Sequence, residues 1–252
     1  MTGTDRDDAA TLDAEVHHNY SANLTADALR GKRIGVIRGW NGEGSHPGVD
    51  ETYERSIAAI RKAGAKIVDK IVLTGGEMPN AEYEVLLYEF HTDLNNYLQS
   101  SGAPVQSLAE LIEFNEANAA AVMPLFGQEV FLHAVEKGPL TEVAYLQAQA
   151  SARSHARSAI DAAMEAHQLD ALVTPSNGPA WMIDHVNGDN FAIGSSSWAA
   201  VSGYPSITVP SGFTSGLPLG LTFIAKPWNE KQLIELAYAF EQATGVRKPP
   251  EL

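Results

Sequence analysis

Three consecutive serines, Ser195–Ser196–Ser197, follow Asp184 and His185 after a short polar loop. Serine, histidine and aspartate are the residue types of nucleophilic hydrolysis. The histidine takes the serine proton and the aspartate holds the imidazole. That chemistry depends on geometry, and nothing in this stretch sets it. A nucleophile elbow has the form G-x-S-x-G at a strand-to-helix turn. Gly194–Ser195–Ser196–Ser197–Trp198 reads instead as the serine-capped start of a helix over Trp198 to Ser202. A self-contained triad is therefore not expected. Metal chemistry fares no better. His17 and His18 are adjacent, so they point to different faces, and no H-x-x-x-H pair exists. The chain has no cysteine, which removes disulfides, thiolate-held zinc and thiol catalysis. No glycine loop precedes a helix with a lysine, as phosphate binding would need. No metal and no cofactor are expected.

The polar loop itself is the better candidate. It carries Trp181, Asp184 and Asp189 between two apolar runs, Ala171 to Thr174 and Ser206 to Pro210. A glycine-rich polar loop leaving a buried strand is where α/β sheets place ligand sites. A long crossover that only packs on the sheet is the alternative. Elsewhere, His91 lies near Glu89 and Asp93 on a helical pattern and reads as a core-edge histidine. Glu129 reads as exposed. Arg153 and Arg157 are one helical turn apart, able to pair with Asp161 or to clamp a carboxylate.

The elements that must position these residues follow from periodicity. Ile34 to Ile37 is a short buried strand. Asp50 caps a helix to Ala63, ended by Gly64, and Ala65 to Leu73 reads as a second strand. Strand, helix and strand at this spacing make a βαβ unit with parallel strands and a right-handed crossover. Helices follow over Glu82 to Leu98, from the Ser107-x-x-Glu110 capping box to Asn118, from Pro124, and from a Thr141 cap to His167. Phe126 and Phe131 are expected to pack on the core. Leu219 to Ala225 is a third strand of the late region. Asn229-x-x-Gln232 caps a last helix that turns Leu233, Leu236, Ala237 and Phe240 to the sheet. The expectation is one α/β domain over 1–252, with a polar lead-in over 1–21. Its mixed β-sheet has about five strands, layered with helices.

Composition sets outer limits. With 252 residues the chain can bury a sizeable core, and 44% hydrophobic with 19% charged residues is ordinary for a globular protein. A formal net charge of −14 repels nucleic acid and anionic membrane, so neither is an expected partner. No apolar run approaches the ~18 residues of a membrane span. The first twenty residues hold five acids and no apolar stretch, so no signal peptide is read in this chain. A soluble chain is expected, with its compartment left open.

At the late region the sequence resembles the C-terminal part of the amidase signature family. The resemblance rests on Asp170 and Pro175, Gly203–Tyr204–Pro205, Val209–Pro210–Ser211–Gly212, Gly216 to Phe223, and Glu230 to Arg247, in that order. The middle stretches LAELIEFNEANAAAVMPLFGQEVF and NGPAWMIDHVNGDNF are similar to the branch acting on peptide C-terminal amides. The family's Gly/Ser-rich segment of the type G-G-S-S-G-G-S, which holds its nucleophilic serine and a second serine in a cis peptide bond, is absent. So is its place in the order. Ile193 to Ser197 and Leu73–Thr74–Gly75–Gly76 are the nearest runs, and they lack its spacing.

The resemblance then implies a Ser-cisSer-Lys hydrolase of carboxylic or peptide C-terminal amides, without cofactor, whose catalytic residues lie in an N-terminal half not seen here. This half would supply a wall of the substrate pocket. The implied substrate-binding residues are Ser176, Asn177, Trp181, Asp184, Ser195 and Phe126, with no catalytic residue among them. The expected partners are a small amide or peptide-amide substrate and the N-terminal half. A half-fold leaves an edge strand and an apolar face uncovered, so self-association is the other expectation. A non-catalytic binding module that kept the fold is the rival reading.

Overall fold

The computed structural model describes residues 3–8, 11–12, 19–22, 24–39, 42–74 and 78–250. The expectations for His17, His18, most of the lead-in and Gly75–Gly76 lie outside the described residues. The described chain holds β1 (Arg33–Ile37), α1 (Pro47–Lys62), β2 (Lys66–Ile71), α2 (Met78–Ser101), α3 (Leu108–Ala117), α4 (Ala119–Val122), α5 (Glu129–Val135), α6 (Val143–His167), β3 (Ala171–Pro175), α7 (Ser196–Ser202), β4 (Ser206–Thr214), β5 (Leu217–Ile224) and α8 (Glu230–Thr244). They fall into two compact units. One comprises Met1–Thr74, Arg157–Asp184 and Gly188–Leu252; the other comprises Gly75–Ala156 and His185–Asn187.

The first unit is built on one mixed sheet of five strands in the order β2-β1-β3-β5-β4. β1 pairs parallel with β2 and β3, while β5 runs antiparallel to both β3 and β4. All five residues of β3 are buried, as its unbroken apolar run requires at the sheet centre. α1 lays Val49, Tyr53, Ile57 and Ile60 against the sheet at helical spacing. This helix begins at Pro47, not at an Asp50 cap, because proline's fixed φ suits the first turn. Asp50 accepts from the Gly44 N–H instead, at 3.3 Å.

β4 and β5 form a hairpin whose turn, Ser215–Gly216, has both residues at positive φ, 48° and 81°. Two such residues give the turn whose twist matches the strands. α8 buries Leu233, Leu236, Ala237 and Phe240, as the periodicity requires, and Phe240 meets Phe223 edge-on at 5.9 Å. Its expected capping box is not made. The Asn229 amide donates to the Lys226 and Pro227 carbonyls, and Gln232 reaches across to the Asp170 carbonyl at 3.1 Å. Asp170 is a staple: its carboxylate accepts from Lys32 Nζ at 3.0 Å and from the Arg33 N–H at 2.8 Å.

The second unit is helical. Its small core is Leu87, Leu108, Ile112 and Ala134, with Leu94, Phe131 and Val135 packed against it. Ser107 caps α3, accepting from the Glu110 N–H at 3.2 Å, while the Glu110 carboxylate accepts from the Gln106 N–H one residue early. α2 runs beyond the expected Glu82 to Leu98. No helix starts at Pro124: Pro124 to Gln128 is loop, and α5 begins at Glu129. α6 starts at Val143 rather than after a Thr141 cap, with the Glu142 carbonyl accepting from the Leu146 N–H at 3.0 Å. The Glu142 carboxylate is taken by the Tyr88 hydroxyl at 2.7 Å. Phe131 stacks on Phe90 at 5.4 Å, whereas Phe126 stays exposed, contrary to the core packing expected of it. No described helix is long and apolar enough to cross a membrane.

Candidate functional site

β3 delivers Ser176 and Asn177 to the end of the sheet. The Ser176 N–H donates to the Gly220 carbonyl at 3.0 Å, so the chain still follows β5 there. The Ser176 hydroxyl lies 2.7 Å from that of Thr222, which lies 2.9 Å from that of Thr208. Thr208 and Thr222 are registered opposite one another across the hairpin. Gly220 makes room for this row. A Cβ on it would come 2.7 Å from both Ser176 Oγ and Thr208 Cγ2.

The loop that leaves Ser176 is closed at its base. Asn177 bridges Gly194, and with its amide turned to donate it reaches the Ser176 carbonyl at 2.9 Å and the Ile193 carbonyl at 3.1 Å. The buried Ser195 hydroxyl donates to that same Ser176 carbonyl at 3.1 Å. This corrects the expected serine cap: α7 starts at Ser196, and Ser195 makes no side-chain cap bond. A buried hydroxyl beside a carbonyl bonds to it, and its only proton is then committed. Gly42, at φ 87°, abuts the same base, where a Cβ would strike the Ala192 carbonyl.

Beyond this base the loop presents apolar side chains. Trp181 donates from Nε1 to Asp189 at 3.2 Å and meets Phe191 edge-on at 6.2 Å. Trp181 is 40% exposed and Met182 87% exposed. Asp184 is half-buried in the same unit, at the point where the chain leaves it. Ser176, Asn177 and Ser195 are thus brought together directly. Trp181 stands on the loop that they close. Phe126 belongs to the helical unit, where its ring lies 5.9 Å from that of His185 and borders a cavity of about 430 Å³ with Leu125, Gln128 and Val130. Thr208, Thr222 and Gly220 were not singled out in the sequence. Their signal was there, since Thr208 and Thr222 alternate with apolar residues on their strands.

The other candidates are structural. Arg157 donates from Nε to the Ser202 carbonyl at 2.8 Å, at the C-terminal end of α7, and stacks over Tyr204. Tyr204 carries the connection to Asp161, donating its hydroxyl at 2.8 Å. Burial and the Asp161 carboxylate push the Tyr204 phenol up to about 12. His91 Nδ1 lies 2.7 Å from the Lys137 carbonyl and so carries the proton. Glu129 is exposed. Ser151 and His155 lie one turn apart on α6, but His155 Nδ1 is nearer the Ser151 carbonyl, at 2.8 Å, than its hydroxyl, at 3.4 Å. Among the described residues no group of three His, Asp or Glu side chains could hold a metal.

The family model described as Amidase matches residues 1–234. The chain belongs to the amidase family. An Arabidopsis thaliana protein described as a probable amidase is 34% identical over 243 residues, which is 92% of this chain and 42% of that protein. A glutamyl-tRNA(Gln) amidotransferase protein of a Ruegeria species is 29% identical, over 100% of this chain and 52% of that protein. The crystal structure of native peptide amidase from Stenotrophomonas maltophilia matches 99% of this chain and 50% of its own at 42% identity, with a TM-score of 0.89. The chain therefore spans about half the length of the relatives it matches. Within this amidase fold, the motif residues Asp170, Gly203, Tyr204 and Gly216 are staple, helix stop, clamp and hairpin turn.

Proposed function

We propose that this chain is the substrate-wall portion of an amidase-type hydrolase that cleaves carboxylic or peptide C-terminal amides to acid and ammonia. The nucleophile comes from a catalytic segment outside these 252 residues. The observation that carries the reading is the commitment of Ser195. The serine that the sequence places best for catalysis donates its proton to a backbone carbonyl, so no base is positioned to take it. Three of the eight lysines, Lys32, Lys137 and Lys226, are held by Asp170, Glu84 and Glu165. In this reading the Ser-Lys proton shuttle of an amidase comes from the catalytic segment outside this chain.

The peptide-amide preference is supported by the likeness to a peptide amidase at 42% identity. In this reading Trp181 covers the apolar part of the substrate. Asp184 reads an N–H or a cationic group. Ser176, Asn177 and Ser195 hold the loop base in shape beneath Trp181. Phe126, in the helical unit, is a separate candidate contact. The amide carbonyl is attacked by the partner serine, its oxygen is held by N–H donors, and water releases the acid. The test mixes this chain with the portion of the Stenotrophomonas maltophilia peptide amidase that it does not match. Ammonia release from a peptide amide should appear in the mixture. A mixture in which the two parts bind without turnover would favour the retired binding module.

A further inference from the structure

α2 carries a wide apolar face. One part of it, with Leu87 and Leu98, is buried, and Leu94 packs beside them. The face continues past them into Tyr83, Leu86, Phe90 and Tyr97, all exposed, with Leu86 at 55% and Tyr97 at 65%, although Phe90 also stacks on Phe131. At 3.6 residues per turn these four fall within an arc of about 60° and run about 21 Å along the helix. Glu82, Glu89 and Asp93 flank the stripe on one side of the helix. A helix with a single solvent face does not repeat large apolar residues along it at helical spacing. An apolar stripe with a polar border marks an interaction site.

We infer that this stripe is the docking surface for the remaining portion of an amidase-length polypeptide, and that the segment seated on it is apolar with basic residues facing Glu82 and Asp93. The inference rests on the proposed function above. The occupant follows from length and charge. The chain matches only about half of the relatives whose fold it shares, at 99% coverage of its own residues. The unmatched half must cover apolar surface somewhere on this one. A second copy brings the same acidic flank, and each chain carries a net charge of −14. Self-docking would set like charges together, whereas a basic-flanked partner would not.

The test measures binding of this chain to the unmatched portion of the Stenotrophomonas maltophilia peptide amidase by calorimetry. Leu86→Asp and Tyr97→Asp are compared with Gln242→Asp on the exposed flank of α8. Circular dichroism checks that each variant folds, and both stripe positions are exposed, so folding should be kept. The expected result is that each stripe variant weakens binding by about 30-fold or more while Gln242→Asp does not. Binding that ignores both stripe variants overturns the inference and leaves the proposed function standing. Absence of binding by the unaltered chain, with no gain of hydrolysis, overturns both. Self-association that both stripe variants abolish, without binding to the other portion, makes a second copy the occupant and overturns the inference.

Discussion

The sheet unit and the helical unit use their apolar residues differently. In the sheet unit, Ile34, Leu172, Phe223, Ile224, Leu236 and Phe240 are wholly enclosed, and β3 is buried along its full length. Its polar groups are paired inward: Asp170 to Lys32 and the Arg33 N–H, Tyr204 to Asp161, Ser195 to Ser176. The helical unit buries Leu87, Tyr88, Leu108, Ile112 and Tyr145 among others, and leaves Tyr83, Leu86, Phe90, Phe114, Leu125 and Phe126 exposed. Its apolar content is thus larger than its own core uses. The first unit leaves its most exposed large apolar side chains on the loop from Trp181 to Phe191, whereas the second leaves them along its helices and the loop before α5.

Substitutions break or sharpen this contrast. Phe223→Ala should cost about 3–5 kcal/mol in denaturant unfolding, by emptying a fully buried site against Phe240, while Leu86→Ala should change stability by about 0.5 kcal/mol or less. Comparable losses at the two positions would erase the distinction between the units. Gly220→Val places carbon where Ser176 Oγ and Thr208 Cγ2 already stand, and should cost about 1–3 kcal/mol. It should also free the loop base, read as faster proteolysis between 178 and 192. An unaltered cleavage rate would mean that the hydroxyl row does not hold the loop.

Tyr204→Phe should cost about 1 kcal/mol, from the lost hydrogen bond to Asp161. Its pH dependence is the sharper readout. The neutral phenol is favoured in the fold, with its pKa raised from 10.0 to about 12. The stability that it confers is complete below pH 10 and lost as pH rises through 12. The substitution should flatten that alkaline limb and leave the acid limb unchanged. An identical alkaline limb in the variant would remove Tyr204 as its source.

The parts that were legible in the sequence are those where burial constrains residue type. The run Ala171 to Thr174 and the apolar face of α8 both read correctly, because a central strand and a helix face against a sheet admit few residue types. Helix starts were less legible. Asp50, Pro124 and Thr141 all suit a cap or first turn, and each lost to a competing local bond or to the loop ahead of it, whereas Asn229 does precede α8 but turns its amide back to the Lys226 and Pro227 carbonyls. The site divides in the same way. Ser176, Asn177 and Ser195 meet because β3 ends where α7 begins, which spacing along the chain did not show. Thr208 and Thr222 join them only through strand register.

The central claim is that no nucleophile resides in this chain, and ammonia release by the purified chain alone tests it most directly. A peptide amide and an aromatic amide serve as substrates, with the Ser195→Ala variant run in parallel. The account predicts no turnover above the buffer rate for either protein. Turnover by the unaltered chain that Ser195→Ala abolishes would contradict it, and would mean that the hydroxyl now seen bonded to the Ser176 carbonyl turns to attack substrate.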